Sequence, residues 1–428
     1  MKKVNKAILT VLGLLLAVPL SYLVIYKQRK ATFQREIIEA KVTTGELAKY
    51  YDATRYLHAR EFLTQRKKAP KRKKSGGHFE PSSRKVYCQL PDLKAFLVAI
   101  QSPPSWITDQ LKVAFDHYHR GFLAVVDRAQ IESILLSHRS ITKYKIDRGK
   151  LYFKSFNHPD RRAEAVTAAI YRILAVVPLP DMEFFLSSDD AFWSELPEPV
   201  LTFCRPKNCP FSITIPDYEM LAGYQALDER LDRMCERYPW DKKKNSAFWR
   251  GATTGGDFSQ PDWRSLPRAR LVFLSKEAPH AINAYFHALG PEAQANPEMQ
   301  ANTSLVGGFI SPEDALQYKY LIDVDGNASG YSRYYWILRS NSVPFKQASF
   351  FTQWYYGALK PGIHYVPCQG DFSDLLEKIA WANNHDDEVR KIAEASALFA
   401  YRELTVENIH AYLYFVLLEI AAIKTPSC

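Results

Sequence analysis

The stretch with the clearest chemical potential is a glycine-containing turn that follows a short apolar run. The run covers residues 320–324, and Gly326, Gly330 and Arg333 follow it among small side chains. The run predicts a buried strand, and glycines let the backbone come close to a ligand. A helix that begins at such a turn directs unpaired N–H groups and its positive dipole end at the ligand, and Arg333 adds a forked cation. This combination is suited to bind a phosphate.

Two adjacent aspartates form a second candidate site. Asp189 and Asp190 follow residues 182–186, whose apolar composition predicts a strand. Ligands of an open α/β sheet lie beyond the carboxyl ends of its strands, which is where these carboxylates are expected. The alternative is that one of them caps the next helix. Both interpretations fit the pattern.

A third candidate combines a glycine loop with arginines. Residues 246–250 predict a strand that runs into a loop rich in glycine and threonine at residues 251–256, and Arg264, Arg268 and Arg270 follow. Clustered arginines after such a loop are suited to bind an anion. A solvated basic helix end explains the same pattern equally well.

Alternating strand and helix patterns must hold these groups in place. Further strands are predicted at residues 96–100, 122–126 and 342–346, and a hairpin at residues 144–152. Helical spacing of apolar residues is found at residues 131–135, 166–174, 227–235, 375–382, 389–401 and 406–423. This alternation predicts an α/β fold.

The N-terminal region is predicted to anchor the chain in a membrane. Residues 7–26 contain no charged side chain and are long enough to cross a bilayer as a helix. A cleaved signal peptide is the alternative, but no small-x-small cleavage site follows the run. Basic residues flank it on both sides, so the positive-inside rule leaves the orientation open. We therefore predict a single-pass membrane protein.

The net charge of +10 is concentrated in one segment. Residues 67–85 combine many lysines and arginines with Pro, Ser and Gly, a composition that cannot form a core. Together with the charged residues before it, this segment predicts a stalk and basic linker over residues 27–85. Phospholipid headgroups are the expected partner of this linker, and nucleic acid is not.

The cysteines leave two interpretations. Cys204 and Cys209 could close a small disulfide loop, or they could be two separate buried thiols. No second cysteine pair or nearby histidine completes a zinc site around them.

Four motifs occur in a specific order along the chain. They are Leu-Pro-Asp-Met-Glu-Phe at residues 179–184 ahead of Asp190, Pro-Trp-Asp to Trp-Arg-Gly at residues 239–251, residues 318–333, and Leu-Lys-Pro-Gly to Val-Pro at residues 359–367. From about Lys143 to its C-terminus the chain thereby resembles the family 90 glycosyltransferases. These include Rumi-type protein O-glucosyltransferases, fungal capsule xylosyltransferases and bacterial lipopolysaccharide-modifying relatives.

The resemblance implies a GT-B architecture, in which two Rossmann-like domains face a cleft. Its members are typically inverting enzymes that use UDP-sugars, and the second domain holds the donor. We expect a signal anchor at residues 1–26, the stalk and linker at 27–85, an acceptor domain at 86–238, a nucleotide-sugar domain at 239–400, and a C-terminal helix at 401–428 that packs back across the domains.

The resemblance also implies roles for single residues. Asp190 matches the family's catalytic base, and because the proline common after it in relatives is absent, Asp189 is the alternative. Arg268 matches an arginine that contacts the donor. Ala252 stands where some relatives have a donor-binding serine, so contact there would come from the backbone or from Thr253. The expected donor site comprises Trp249, Arg250, Gly251, Ala252, Thr253, Arg268, Ala328, Ser329, Gly330, Tyr331, Ser332 and Arg333.

No metal or other cofactor is expected. In an inverting displacement a carboxylate takes the acceptor's proton, while Arg268, Arg333 and the helix N-terminus stabilise the departing UDP. Asp323 and Asp325 have the spacing of the metal-binding Asp-x-Asp of GT-A enzymes. They occupy the strand-to-turn position of this family, which implies structural roles.

The sequence thus predicts a membrane-anchored glycosyltransferase. It would move glucose, xylose or a similar sugar from UDP to a hydroxyl of a glycan, a lipopolysaccharide or a protein. A non-catalytic UDP-sugar-binding protein is one alternative. A basic adaptor at a membrane surface, acting through residues 65–85, is the other.

Overall fold

The computed structural model describes residues 91–119, 128–155, 160–193, 198–209 and 211–424. The predicted anchor, the stalk and linker, and the strand predicted at residues 122–126 lie outside them. The described chain forms two compact units. Unit 1 contains the described residues up to Phe203, Cys209–Gly223 and the chain from Val406 onward, and unit 2 contains Cys204–Asn208 and Tyr224–Thr405. The domain limits and the GT-B arrangement stay predictions.

Helices and strands alternate along most of the described chain, which confirms the α/β class. In chain order they are α1 (Leu93–Gln101), α2 (Ser105–His119), α3 (Arg128–Ser137), β1 (Ile141–Asp147), β2 (Lys150–Ser155), α4 (Arg161–Val176), β3 (Met182–Ser187), β4 (Val200–Thr202), β5 (Arg205–Pro206), β6 (Ser212–Thr214), α5 (Tyr218–Ala222), α6 (Gln225–Arg237), β7 (Lys244–Ala252), α7 (Pro267–Glu277), β8 (Ile282–Ala288), α8 (Pro291–Ala295), α9 (Pro297–Ala301), α10 (Pro312–Ala315), β9 (Tyr318–Asp323), α11 (Tyr331–Arg339), β10 (Val343–Gln347), β11 (Phe351–Thr352), β12 (Val366–Cys368), α12 (Leu375–Asn384), α13 (Asp386–Glu403) and α14 (Val406–Lys424).

Unit 1 contains a mixed sheet in the order β2-β1-β3-β4-β6. The hairpin of β1 and β2 is antiparallel, as predicted, and its turn carries Arg148 and Gly149 at φ 50° and 73°. Strands β3, β4 and β6 run parallel. Strand β3 ends at Ser187, and Asp189 and Asp190 follow its carboxyl end. Helix α14 packs against α1, α2 and β3.

Unit 2 contains a parallel sheet in the order β12-β10-β9-β7-β8. All six residues of β9 are buried, as expected for a parallel strand covered on both faces. In chain order the arrangement is 2-1-3-4-5, a doubly wound sheet whose strand order reverses between β7 and β9. Ligands of such sheets bind at this switch point, outside the carboxyl ends of the strands.

The strand predicted at residues 96–100 is wrong, because these residues lie in helix α1 (Leu93–Gln101). Phe96 and Ile100 are buried, whereas Val98 between them is 53% exposed. In a strand all three would share one face, so the burial follows the helical period. A short apolar run fits either element, and the run alone could not decide.

Helix α14 is the one helix of the described chain that is long and apolar enough to cross a membrane, over Val406–Ile423. It is 67% buried within the protein, and a buried core helix satisfies the same criterion.

Candidate functional site

Two loops meet at the switch point of unit 2. Residues 253–256 follow β7 and residues 324–330 follow β9; we call them the switch-point loops. The backbone N–H of Gly255 donates to Asn327 Oδ1 at 3.2 Å. Gly255 has φ +90°, and a Cβ there would lie 3.0 Å from the carbonyl oxygen of Gly326. Only glycine permits both this conformation and this close approach.

Arg268, near the start of α7, ties the two loops together. Its Nε donates to the carbonyl oxygen of Asp325 at 2.7 Å. Its Nη1 donates to the carbonyl oxygen of Ala252 at 2.9 Å and to Thr254 Oγ1 at 2.6 Å. A guanidinium has five N–H groups, so a minority remain for a ligand. Arg268 therefore mainly stabilises the two loops, and only the remaining N–H groups of its guanidinium could bind a ligand.

A second cation lies beside the first. Arg333 Nη1 donates to the carbonyl oxygen of Arg250 at 2.6 Å. The guanidinium carbons of Arg268 and Arg333 lie 5.6 and 5.7 Å from the centroid of the buried Trp249 ring. Burial, together with the charge of Arg333, lowers the pKa of Arg268 to about 9. Since arginine stays protonated in proteins, the lowered pKa indicates that the buried charge of Arg268 is unfavourable, and a bound anion would relieve this cost.

The acidic residues at the end of β9 have internal partners. Asp323 is buried and pairs with Lys346 Nζ at 2.8 Å. Asp325 Oδ2 accepts a hydrogen bond from Ser349 Oγ at 2.5 Å, and burial raises the pKa of Asp325 to about 6. Among the residues that the structure describes, no three His, Cys, Asp or Glu side chains are grouped so as to hold a metal ion. Metal-independent chemistry stays a prediction.

Glycine is required where α11 begins. A Cβ at Gly330 would lie 2.4 Å from Asp323 Oδ1. A side chain there would therefore collide with the buried carboxylate. The turn places the N-terminus of α11, with its first N–H groups unbonded within the helix, at the switch point.

Several predicted donor residues have side chains committed to internal contacts. Thr253 Oγ1 accepts from the Gly290 N–H at 2.7 Å. Ser329 is buried, and its Oγ accepts from Gln353 Nε2 at 2.8 Å. Arg250 donates from Nη2 to Asn283 Oδ1 at 2.7 Å and lies between the rings of Phe248 and Tyr285. These side chains shape the site. Because the hydroxyls of Thr253 and Ser329 are already hydrogen-bonded, these two residues would contact a ligand mainly through their backbone groups.

A cavity of about 210 Å³ adjoins Arg333. Its lining includes Trp249, Ser332 and Arg333, which were predicted, and His287, Phe309 and Trp336, which were not. Trp249 Nε1 and His287 Nδ1 are buried polar atoms with no hydrogen-bond partner within the described part of the chain. His287 belongs to β8, a strand that the sequence pattern did not predict, so its position at a strand end was not foreseen.

In unit 1 the structure distinguishes the two aspartates. Asp190 Oδ1 accepts from Arg162 Nη2 at 2.6 Å, and the Asp190 side chain is 38% exposed. Asp189 is exposed, and its Oδ2 accepts from Ser140 Oγ at 2.6 Å. The two carboxylates therefore have different partners, one a cation and the other a hydroxyl.

Cys204 and Cys209 are separate buried thiols, which excludes the disulfide interpretation in this structure. Cys204 Sγ lies 3.2 Å from Ser329 Oγ, and Cys209 Sγ lies 3.4 Å from Ser212 Oγ. Cys204 thus packs beneath the turn that precedes α11.

Comparison with known proteins gives a consistent result. A family model described as Glycosyl transferase family 90 matches residues 116–425. Protein O-glucosyltransferase 2 of Danio rerio is 30% identical over 288 residues, which are 64% of this chain and 54% of that protein. Protein O-glucosyltransferase 3 of Homo sapiens is 31% identical over 260 residues, 56% of this chain and 47% of that protein. Protein O-glucosyltransferase 1 of Homo sapiens is 25% identical over 293 residues, 63% of this chain and 69% of that protein. The chain spans about half the length of the first two relatives.

Proposed function

The chain belongs to glycosyltransferase family 90, and on this premise we propose that it transfers a sugar from a UDP-sugar to a hydroxyl group, with inversion at the anomeric carbon. The relatives are named protein O-glucosyltransferases, which favours glucose as the sugar and a protein hydroxyl as the acceptor. The proposal also includes xylose as the sugar, and a glycan or a lipopolysaccharide as the acceptor.

The observation that carries this proposal is the pair of cations at the switch point. Arg268 and Arg333 both lie close to the Trp249 ring, and no carboxylate among the described residues is hydrogen-bonded to either guanidinium. The diphosphate of UDP would supply the missing negative charge, with help from the N-terminus of α11. The adjoining cavity, lined by aromatic rings, would take an uncharged part of the donor.

The reaction is a single displacement. Asp190 would accept the proton of the acceptor hydroxyl while its oxygen forms a bond to the anomeric carbon. The bond between this carbon and the phosphate oxygen breaks, and UDP leaves with the electron pair. Arg268 and Arg333 would stabilise the charge that develops on the leaving group, with no metal or cofactor in the step. We also propose that residues 7–26 anchor the enzyme in a membrane as a single span.

A non-catalytic UDP-sugar-binding protein is the second candidate. Ala252 provides no hydroxyl where some relatives have a serine, and the hydroxyl of Thr253 is already bonded to Gly290. A basic membrane-surface adaptor would rest on residues 65–85, which lie outside the described chain.

The test uses the full chain purified in detergent. UDP-glucose, UDP-xylose and other UDP-sugars are supplied with serine-containing peptides and glycans, and UDP release and transfer are measured with and without EDTA. We expect release from one UDP-sugar, unaffected by EDTA. Tight UDP binding without turnover on any donor would instead support the binding protein, and absence of UDP binding would support the adaptor.

A further inference from the structure

We propose that Arg162 is a positioning residue that fixes the carboxylate of Asp190 in the orientation needed to receive the acceptor's proton. This inference rests on the proposed function, because it takes Asp190 as the base.

The arginine holds the aspartate and its turn together. Arg162 Nη2 donates to Asp190 Oδ1 at 2.6 Å, and Nη1 donates to the carbonyl oxygen of Ser188 at 2.9 Å. One planar fork therefore bonds both to the carboxylate and to the backbone two residues before it. This hydrogen bond restrains the rotation of the carboxylate and therefore the direction of its second oxygen.

Arg162 is itself held at both ends. Its backbone N–H donates to Asp160 Oδ1 at 3.0 Å, where Asp160 caps helix α4. Its guanidinium lies 5.2 Å from the ring centroid of Tyr218, the first residue of α5. Tyr218 is in turn placed by Asp217, a fully buried cap of that helix. Two helix starts thus determine where the guanidinium lies.

The exposure of the pair argues for positioning over stability. The side chains of Arg162 and Asp190 are 29% and 38% exposed, respectively. Ion pairs that solvent reaches contribute little to folding, because water screens them and both side chains lose rotamer freedom. A short pair that is partly open to solvent, with a guanidinium that also bonds to the Ser188 carbonyl oxygen, therefore matters chiefly for the orientation of the carboxylate.

The test compares variants of the full chain on the donor and acceptor found active. Arg162→Gln keeps a polar side chain but replaces the guanidinium, with its charge and its fork, by a shorter neutral amide. We expect kcat to fall by roughly 10²-fold, the penalty typical of a misplaced catalytic group, with the KM for the donor and the Kd for UDP unchanged. Arg162→Lys restores the charge without the fork and should recover part of the rate. Tyr218→Leu removes the supporting ring and should lower kcat by less than Arg162→Gln does.

Arg161→Gln is the matched control, because Arg161 is the exposed neighbour in the same helical turn. It should behave as the wild type. If Arg162→Gln keeps full kcat while Asp190→Asn is inactive, the positioning role is wrong and the proposed function stands. If Arg162→Gln and Tyr218→Leu lose UDP binding in parallel with kcat, the arginine supports the fold and the inference is also wrong. An active Asp190→Asn variant overturns the base assignment, and the positioning role with it.

Discussion

Arg268 donates a hydrogen bond from Nε to the carbonyl oxygen of Asp325 at 2.7 Å, and this bond joins the loop after β9 to the helix that follows β7. The same guanidinium also bonds to the loop after β7. One cation therefore sets the distance between the two switch-point loops. The geometry of any ligand site between these loops therefore depends on Arg268.

Replacement of Arg268 should weaken UDP binding. Arg268→Gln removes a cation and loosens both loops, so we expect a loss of about 10–100-fold in affinity, the range for a charge-assisted hydrogen bond. Arg270→Gln is the control, because Arg270 lies on the same helix and pairs with the partly exposed Asp371 at 3.3 Å. Calorimetric titration with UDP measures both. Equal affinities for the two variants would contradict the role of Arg268.

A methyl group at Gly326 should disturb the same cation. A Cβ there would lie 2.5 Å from Arg268 Nη2 and 2.8 Å from Thr254 Oγ1. Because several backbone carbonyls hold the guanidinium, it cannot move aside without losing bonds. We expect Gly326→Ala to lower UDP affinity and the thermal midpoint, whereas Gly308→Ala, with no atom within 4 Å of its new Cβ, should change neither. A Gly326→Ala variant with wild-type stability and wild-type UDP affinity would contradict this prediction, because it would show that the loops accommodate a methyl group beside Arg268.

Asp217 should make the stability of unit 1 depend on pH. Burial raises the pKa of Asp217 to about 7 from an ordinary value of 3.8. The folded state then holds this proton more tightly than the unfolded state. The associated stability is fully present below about pH 4, is lost as the pH rises to about 7, and changes no further above that. The upper limit of the loss is about 4 kcal/mol, because each pH unit between the two pKa values counts about 1.4 kcal/mol.

Asp217→Asn removes this titration and keeps an oxygen that can accept from Glu219 and Met220 N–H, as Oδ1 does now. We expect the variant to unfold at a higher temperature than the wild type at pH 8 and at a similar temperature at pH 4. Thermal unfolding across this range supplies the comparison. A constant difference between the two proteins at every pH would refute the assignment.

The sequence predicted most of the framework of unit 2 and less of unit 1. The sequence predicts the strand at residues 320–324 and the helix after Gly330, because a buried parallel strand has a continuous apolar run and glycine marks the turn. The run at residues 96–100 predicts a strand but forms a helix, and a five-residue apolar run is too short for its period to distinguish the two. The switch point itself emerged only from the strand order, which depends on long-range pairing.

The same limit applies to the site. The sequence predicts Arg268 and Arg333 as anion-binding cations, yet nothing local to them indicates that both lie within 6 Å of the Trp249 ring centroid, at 5.6 and 5.7 Å. Arg162 precedes Asp190 by 28 residues, and their contact exists only because the fold brings the first turn of α4 to the loop that follows β3. Chemistry-bearing residue types can be read from a sequence, whereas the partners that hold them depend on the tertiary structure.

The measurement that tests the central claim most directly is turnover of Asp190→Asn beside Asp189→Asn in the full chain. We expect sugar transfer by Asp190→Asn to fall by about 10²–10⁴-fold, as for loss of a general base, with UDP affinity and thermal stability preserved. Asp189→Asn should remain active. Transfer at the wild-type rate by Asp190→Asn, or loss of transfer only in Asp189→Asn, would contradict the account.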